Sequence, residues 1–247
     1  MIVHTAIVPG DLNFWDDGYF DIAVIIDILR STTTLLYAVK SGAKEIIPAS
    51  SIQQALELAK KYETGTAILC GERNGIKAPG FDLGNSPFEY TPEAVSGKTL
   101  IFASTNGSVA MERSQFLAKT VILASLRNLS VVVDFIIKSC PKQIILVCAG
   151  KEGRMSLEDT YTAGRIFDML ANKSSAISAD DGTAVAQLVY RRFGDDIGAV
   201  FESSIHGQYL STQLGLWDDL ASASEVDADD IMLEIRNEKI VLSKKQK

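Results

Sequence analysis

Residues 22–34 read Ile22-Ala-Val-Ile-Ile-Asp-Ile-Leu-Arg-Ser-Thr-Thr-Thr34, an apolar run that ends in an acid, a cation and four hydroxyl residues. The β-branched run Ile22–Ile26 is typical of a buried strand, and helical periodicity begins at once over Thr33–Ser41. A strand that leads directly into a helix is the basic unit of an α/β fold.

The same alternation continues along the chain. It predicts a largely parallel or mixed sheet with helices on both faces. The predicted strands are Ile2–Val8, Ile22–Ile26, Glu45–Pro48, Ala67–Cys70, Leu100–Ala103, Thr120–Ala124 and Gln143–Cys148. The predicted helices between them are Thr33–Ser41, Ile52–Tyr62, Val109–Arg113, Leu129–Ser139 and Asp159–Ala171.

The pattern changes beyond Ser174, where helices predominate. They are predicted over Gly182–Phe193, Asp195–Leu210 and Leu216–Ala223, followed by a hairpin of Ile231–Arg236 with Lys239–Leu242. We therefore expect one α/β domain over residues 1–247, with a sheet core at 1–173 and a helical extension with a terminal hairpin at 174–247. The basic residues Lys244–Lys247 are predicted to form a frayed tail.

Composition narrows the class of partner. The net charge is −7, the sequence pI is about 4.9, and Lys and Arg are scattered, which argues against nucleic acid. No apolar run approaches the roughly 20 residues that a membrane helix needs. Three cysteines without metal-type spacing suggest reduced thiols, and we expect a cytoplasmic protein. Enzymes of this size commonly form symmetric dimers, so a homodimer is expected.

In open α/β sheets, ligands bind beyond the carboxyl ends of the strands, so the polar residues after each apolar run are the candidates. In the first such cluster, Arg30 can grip an oxyanion and Asp27 can bind a cation. The hydroxyls of Thr32, Thr33 and Thr34 can add donors at a helix start. A structural alternative is helix capping together with an ion pair between Asp27 and Arg30.

The second cluster is the loop Gly71–Pro87, which is rich in glycine and charge. A loop this long is more often a ligand loop than a connector, although a solvated surface excursion remains the alternative. Its candidates are Glu72 and Arg73 at the start and Asp82, Asn85 and Ser86 further on.

Two shorter clusters follow the next strands. Thr105, Asn106 and Gly107 can point backbone amides at a phosphate, but an Asn-Gly pair is a turn by default. Ser125 and Asn128 are typical of helix capping when taken alone, and they are kept as substrate-binding candidates.

The fifth cluster is a glycine-rich loop that ends in Ser156-Leu-Glu158-Asp159. As an N-cap, Ser156 would place Glu158 and Asp159 in a first helical turn, where the helix dipole favours negative charge. The same carboxylates, facing Asp27, would also suit Mg²⁺. His206 is more typical of a helix end or a core than of a catalyst.

Familiar catalytic motifs are missing from the sequence. It contains no nucleophile elbow, metalloprotease helix, Walker loop or dinucleotide-binding glycine fingerprint, which weakens acyl transfer, NTP hydrolysis and hydride transfer.

Read together, these motifs resemble the 2-phosphosulfolactate phosphatase family. The matching segments are Ile26–Thr34, Gly71–Arg73, Gly80–Pro87, Ser104–Gly107, Cys148–Gly153, Ser156–Asp159 and Ser204–Leu210. The resemblance implies a three-layer α/β/α fold, Mg²⁺ dependence and hydrolysis of 2-phospho-3-sulfolactate to 3-sulfolactate and phosphate. One departure is Val109, which follows Ser108 where the family usually has a basic residue.

The leading hypothesis is a Mg²⁺-dependent phosphatase acting on a small anionic phosphate ester. Asp27 with Glu158, Asp159 or Asp82 would bind the metal, while Arg30 and Arg73 hold oxyanions. An aspartyl nucleophile and an activated water both remain open. The alternatives are a non-catalytic sensor of a phosphorylated or sulfonated 2-hydroxy acid and a nucleotide-binding α/β protein.

Overall fold

The computed structural model describes residues 1–243, and eleven strands in these residues form one mixed sheet. The strands are β1 Ile2–Ala6, β2 Phe20–Ile26, β3 Glu45–Ala49, β4 Ala67–Arg73, β5 Ile76–Lys77, β6 Thr99–Ala103, β7 Ala118–Ala124, β8 Gln143–Cys148, β9 Ser178–Ala179, β10 Leu233–Arg236 and β11 Lys239–Leu242. Their order is β5-β4-β6-β3-β11-β10-β7-β2-β8-β1-β9.

Helices cover both faces of this sheet. They are α1 Ser31–Lys40, α2 Ile52–Ala59, α3 Pro92–Val95, α4 Gly107–Leu117, α5 Leu129–Ser139, α6 Leu157–Lys173, α7 Asp181–Phe193, α8 Ile197–Ser203, α9 Ile205–Gln208 and α10 Trp217–Ser224. Helices α5 and α6 contribute to the core on one face, while α1 and α4 contribute to the core on the other. The predicted three-layer α/β fold is confirmed.

Parallel pairing brings the polar strand ends to one edge of the sheet. Strand β2 lies between β7 and β8, with Ile26 opposite both Ala124 and Cys148. In the other half, Gly71 of β4 is opposite Ala103 of β6. The residues that follow these strands therefore gather at a single carboxyl edge, as the topology rule for such sheets requires.

The predicted terminal hairpin forms, and it lies inside the sheet. Strand β10 pairs antiparallel with β7, β11 pairs antiparallel with β3, and the two pair with each other. Within residues 1–243, these two strands supply all the pairing between the β7-β2-β8-β1 half and the β3-β6-β4 half.

The predicted helix Asp195–Leu210 is interrupted in the structure. Ser204 has extended backbone angles, and its hydroxyl accepts a hydrogen bond from the Gly207 backbone N–H, so α8 ends there and α9 begins. A π-helical segment, Tyr209–Gln213, follows. A serine cap inside a helical pattern competes with helix continuation. Hydrophobic periodicity does not detect such a cap, so periodicity alone predicts one long helix.

Other boundaries differ by a few residues. Strand β1 ends at Ala6 because a 3-10 turn begins at Pro9, and β4 continues to Arg73 into the predicted loop. None of the helices described in residues 1–243 has the length and apolar character needed to cross a bilayer. The frayed tail predicted at Lys244–Lys247 lies outside the described residues.

Candidate active site

The turn between β2 and α1 places Asp27 at the carboxyl edge, 5% exposed. Burial raises the pKa of its carboxyl, and the charge of Glu72 raises it further, whereas Ser31 and the charge of His206 lower it. A carboxyl group with a raised pKa that faces a histidine is a common feature of catalytic centres.

The three predicted threonine donors are occupied by the backbone. The hydroxyls of Thr32 and Thr33 donate to the carbonyls of Asp27 and Ile28, and that of Thr34 donates to the carbonyl of Asn85. Their side chains thus fix the turn and the neighbouring loop. Whether the backbone of this helix start also binds substrate remains a prediction.

Gly107, the first residue of α4, leaves the space that the Asp27 carboxylate occupies. A β-carbon on Gly107 would lie 2.5 Å from Oδ2 of Asp27 and 3.1 Å from Oγ of Ser31. The amino end of α4 therefore approaches Asp27 as closely as only glycine permits. Since α1 begins at Ser31, two helix amino ends face this carboxylate, and both favour a bound anion.

Arg30 pairs with a residue from the far end of the chain. Its Nη1 donates to Oδ2 of Asp219 at 2.6 Å, and its Nη2 donates to the carbonyl of Gly75 at 2.6 Å. Oδ1 of Asp219 accepts a hydrogen bond from the hydroxyl of Ser86. The ion pair considered from sequence, Asp27 with Arg30, is replaced by Arg30 with Asp219, and the guanidinium still lines the cavity beside Asp27.

Glu72 holds two neighbouring loops in place. Its Oε1 accepts from the Thr105 backbone N–H at 2.8 Å, and its Oε2 accepts from the Gly75 N–H at 2.7 Å. Arg73 donates to the carbonyl of Glu72 and does not line the cavity. Asp82 is exposed and accepts from the Leu69 N–H, which anchors the loop to β4.

Asp159 also fixes backbone. Its Oδ1 accepts from the Ile28 N–H at 3.0 Å and its Oδ2 from the Gly150 N–H at 3.1 Å, while its own N–H donates to the cap Ser156. Burial raises the pKa of this carboxyl well above its usual value, and the charge of Asp27 adds to the effect. Asp159 joins the loop after β8 to the turn after β2.

Glu158 and His206 form a buried pair. Oε1 of Glu158 lies 3.2 Å from Nδ1 of His206, and Oε2 accepts from the hydroxyl of Ser204 at 2.6 Å. Burial acts to raise the pKa of Glu158, but the hydrogen bonds from His206 and Ser204 outweigh it and the net shift is downward. An ionised Glu158 accepts a hydrogen bond from the Nδ1–H of His206, which leaves Nε2 of His206 for other contacts.

A small inner cavity joins these groups. Its volume is ≈ 10 Å³, about the space of one water molecule or ion. Its wall contains Asp27, Leu29, Arg30, Ser31, Glu72, Gly75, Asn85, Asn106, Lys151 and His206. Five of the site residues predicted from sequence line this wall, namely Asp27, Arg30, Glu72, Asn85 and Asn106, and the wall brings an acid, a base and a cation together.

A larger outer cleft, ≈ 700 Å³, adjoins the inner cavity and shares Lys151 and His206 with it. Lys151 belongs to the glycine-rich loop after β8, and its ammonium lies 5.8 Å from the centre of the Tyr209 ring. The cleft is wide enough to admit a small molecule, and the shared residues place its inner end beside Asp27.

The donor set of the inner cavity suits a hard cation. Within residues 1–243, no three His, Cys, Asp or Glu side chains are grouped as a metal site. However, Asn85 Oδ1 and Ser31 Oγ are buried without a hydrogen-bond partner of normal geometry, and Asp27 lies in the same wall. One carboxylate with neutral oxygens and water is a set that Mg²⁺ accepts. Glu158 and Asp159, predicted as ligands, make other contacts.

The remaining predicted residues have local roles. Asn106 lines the inner cavity and its Oδ1 accepts from the Glu152 N–H, whereas Thr105 Oγ1 is buried without a partner. Ser125 and Asn128 cap the turn after β7, and Asn128 also donates to the carbonyl of Ile231. Neither of these two lines the inner cavity or the outer cleft.

Sequence reasoning missed three functional candidates: His206, Lys151 and Asp219. His206 is the histidine that faces Asp27, and the only local signal was its Ser-Ile-His-Gly context. Lys151 lies between Gly150 and Gly153 in the glycine-rich loop after β8, where a cation is well placed to bind an anion. Asp219 belongs to an Asp-Leu pair that resembles the family's C-terminal part, but no local pattern predicts its contact with Arg30, which is 189 residues away.

Comparison with known proteins gives a consistent result. The family model described as 2-phosphosulpholactate phosphatase matches residues 13–238. A probable 2-phosphosulfolactate phosphatase of Caldanaerobacter subterraneus is 39% identical over 214 residues, 87% of each chain. Proteins with the same description from Deinococcus radiodurans and Microcystis aeruginosa are 37% and 34% identical over 217 and 225 residues, covering 88% and 91% of this chain and 88% and 92% of theirs.

Proposed function

The chain belongs to the 2-phosphosulfolactate phosphatase family, and from this premise we propose that it hydrolyses the phosphate ester of 2-phospho-3-sulfolactate to 3-sulfolactate and phosphate. It is in that case a phosphoric monoester hydrolase. The observation that carries the proposal is the single cavity in which Asp27, His206 and Lys151 meet at two helix amino ends.

The phosphate ester carries negative charge, and the cavity supplies positive partners for it. Lys151 and Arg30 line the wall, and the amino ends of α1 and α4 add backbone dipoles. Because Asp219 and the Gly75 carbonyl fix Arg30, its charge is oriented before substrate arrives. Such preorganised charge stabilises a transition state better than mobile groups do.

His206 is placed to transfer a proton. When the phosphorus–oxygen ester bond breaks, the leaving alkoxide needs a proton, and the histidine ring that lines the cavity can donate it. Glu158 orients the ring through Nδ1 and is a positioning residue. Asp27 either attacks phosphorus directly or holds the attacking water, and trapping with beryllium fluoride separates these routes.

Mg²⁺ dependence is part of the proposal. The residues that would hold the ion are Asp27, Asn85 and Ser31, because all three line the inner cavity and Asn85 Oδ1 and Ser31 Oγ are buried without a hydrogen-bond partner of normal geometry. The bound ion would supply Lewis-acid stabilisation of phosphoryl charge. This set replaces Glu158 and Asp159 as proposed ligands, because their oxygens accept hydrogen bonds from Ser204, Ile28 and Gly150.

Location and assembly are further proposals. The three cysteines described are free thiols, as in reducing compartments, which supports a cytoplasmic location. A homodimer and the absence of nucleic-acid binding are proposed from size and from a net charge of −7. Light scattering and a gel-shift measurement test these two points.

The deciding experiment is phosphate release from 2-phospho-3-sulfolactate by purified protein, with Mg²⁺ and with chelator. We expect turnover that requires Mg²⁺ and that Asp27→Asn abolishes. No release from phosphosulfolactate, phospholactate or phosphoglycerate would reject the proposal. Thermal stabilisation by sulfolactate without any turnover would instead support a sensor.

A further inference from the structure

The outer cleft is much larger than the three-carbon acid of the proposed reaction requires. Its volume of ≈ 700 Å³ is in the range of sites that bury a drug-sized ligand. The cleft and the inner cavity share Lys151 and His206 in their walls, so a substrate whose phosphate contacts these two residues would extend into the cleft.

One part of the cleft wall carries two cations, Lys151 and Arg154. The guanidinium of Arg154 makes no hydrogen bond or ion pair with any residue in 1–243, whereas the Lys151 ammonium lies 3.5 Å from the Glu152 carboxylate and 5.8 Å from the centre of the Tyr209 ring. The carbonyl and N–H of Arg154 bond to Lys151, so the backbone of this loop is held while the Arg154 side chain is free. A free cation near a phosphate site is suited to a second anion on the substrate.

The other part of the wall is apolar and exposed. Ile205 is 85% exposed and Met155 is 49% exposed, and both line the cleft together with Leu157 and Tyr209. A sulfomethyl group is strongly hydrated and gains nothing from such a surface, whereas an alkyl or aryl group is stabilised by burial against it. The apolar part of the cleft wall is therefore better suited to an alkyl or aryl side group than to a sulfonate.

We propose that the outer cleft is a second substrate subsite, which admits phosphate monoesters of 2-hydroxy acids whose side group is larger and more apolar than sulfomethyl. Arg154 and Lys151 bind the carboxylate of the acid, and Ile205 with Met155 contacts the side group. This inference rests on the proposed phosphatase function and extends its substrate class.

The test compares kcat/KM for 2-phospho-3-phenyllactate, 2-phospholactate and 2-phospho-3-sulfolactate. We expect the phenyl substrate to exceed phospholactate by about tenfold or more, the usual gain from filling an apolar pocket. A phenyl substrate that is hydrolysed no faster than phospholactate overturns the inference. Hydrolysis of phosphosulfolactate in that case would leave the proposed function standing, whereas no hydrolysis of any substrate would reject both.

Two variants locate the effect. Ile205→Ala is expected to reduce the phenyl-to-methyl preference about tenfold, while Leu188→Ala, which removes an equally apolar side chain 65% exposed on α7, changes neither rate.

Arg154→Met is expected to raise KM about tenfold with a smaller change in kcat, as for loss of one charged hydrogen bond. Arg192→Met is its control. An unchanged preference in Ile205→Ala, or an unchanged KM in Arg154→Met, counts against the subsite.

Discussion

Nδ1 of His206 lies 3.2 Å from Oε1 of Glu158, and the two residues come from separate helices 48 positions apart. Ser204 holds the other carboxylate oxygen, so Glu158 is fixed from both sides. The pair gives the histidine ring one orientation, with its second nitrogen left for the cavity that also contains Asp27.

The first prediction concerns this pair. His206→Gln is expected to lower kcat by about 10²–10⁴, the usual contribution of a positioned general acid. The measurement is steady-state phosphate release, with circular dichroism to confirm folding. His4→Gln, which changes the other histidine, is the control and should retain near wild-type kcat.

Glu158→Gln separates orientation from chemistry. We expect a smaller loss of kcat than in His206→Gln, a shifted pH–rate profile, and little additional loss in the double variant because the residues act as one unit. Fully additive losses with an unshifted profile would show that Glu158 acts only on stability.

The second prediction concerns the close approach of α4 to Asp27. Gly107→Ala places a β-carbon 2.5 Å from Asp27 Oδ2, so the carboxylate must move. We expect activity to fall by at least about tenfold with a modest change in melting temperature. Gly10→Ala is the matched control, because nothing lies within 4 Å of its added carbon. Equal activity in both variants would remove Asp27 from the centre of the site.

The third prediction concerns the buried ion pair of Arg30 with Asp219. Asp219→Asn leaves the Arg30 charge buried without its counter-ion, which typically costs about 3–5 kcal/mol in free energy of unfolding. Urea denaturation measures this loss. Asp218→Asn changes the exposed neighbour on the same helix and should alter stability by less than about 0.5 kcal/mol. Similar losses in the two variants would contradict the pairing.

The fourth prediction is a pH dependence at Asp229. Its carboxylate accepts from Arg127 at 2.6 Å and also pairs with Lys40. Burial acts to raise the pKa of Asp229, but the hydrogen bonds from Arg127 and Lys40 lower it overall. A lowered pKa stabilises the fold above the unfolded value, about 3.9, and that stabilisation is lost as pH falls through the folded value.

Urea denaturation of wild type and Asp229→Asn between pH 7 and pH 3 checks this sign. The difference in unfolding free energy should be largest at neutral pH and should shrink below about pH 4. A difference that grows on acidification would show that the carboxylate does not gain from its partners.

The fifth prediction concerns the thiols. Burial raises the pKa of Cys70 and of Cys148, whereas Cys140 is exposed. Because the thiolate is the reactive form, a thiol reagent should label one cysteine in the native protein and three in urea. Rapid native labelling of Cys148 would mean that β8 opens locally.

Much of the fold could be predicted from periodicity, because strands such as Ile22–Ile26 are apolar runs with polar ends. The carboxyl-edge rule then placed Asp27, Glu72 and Asn106 at one edge, where the structure has them. These predictions succeeded because the signals are local: a run, a turn and a topology rule act within a few residues of each other.

The rest depends on long-range pairing. Strand β11 lies beside β3 through the pairing of Ile240 with Ile46, and no local sequence pattern near either residue predicts this pairing. For the same reason the sequence does not predict that Arg30 pairs with Asp219. It also does not predict that His206 lies on a separate four-residue helix. Local sequence reports propensity, whereas these features are decided by contacts made after the chain folds.

The central hairpin also has a consequence for synthesis. A ribosome that has released only the first 230 residues has produced both halves of the sheet but neither strand that joins them. The growing chain must therefore keep two unpaired strand edges, on β3 and β7, until the hairpin of β10 and β11 has been made. Such edges can pair with other chains, so formation of this hairpin removes two sites of aggregation from the nascent sheet.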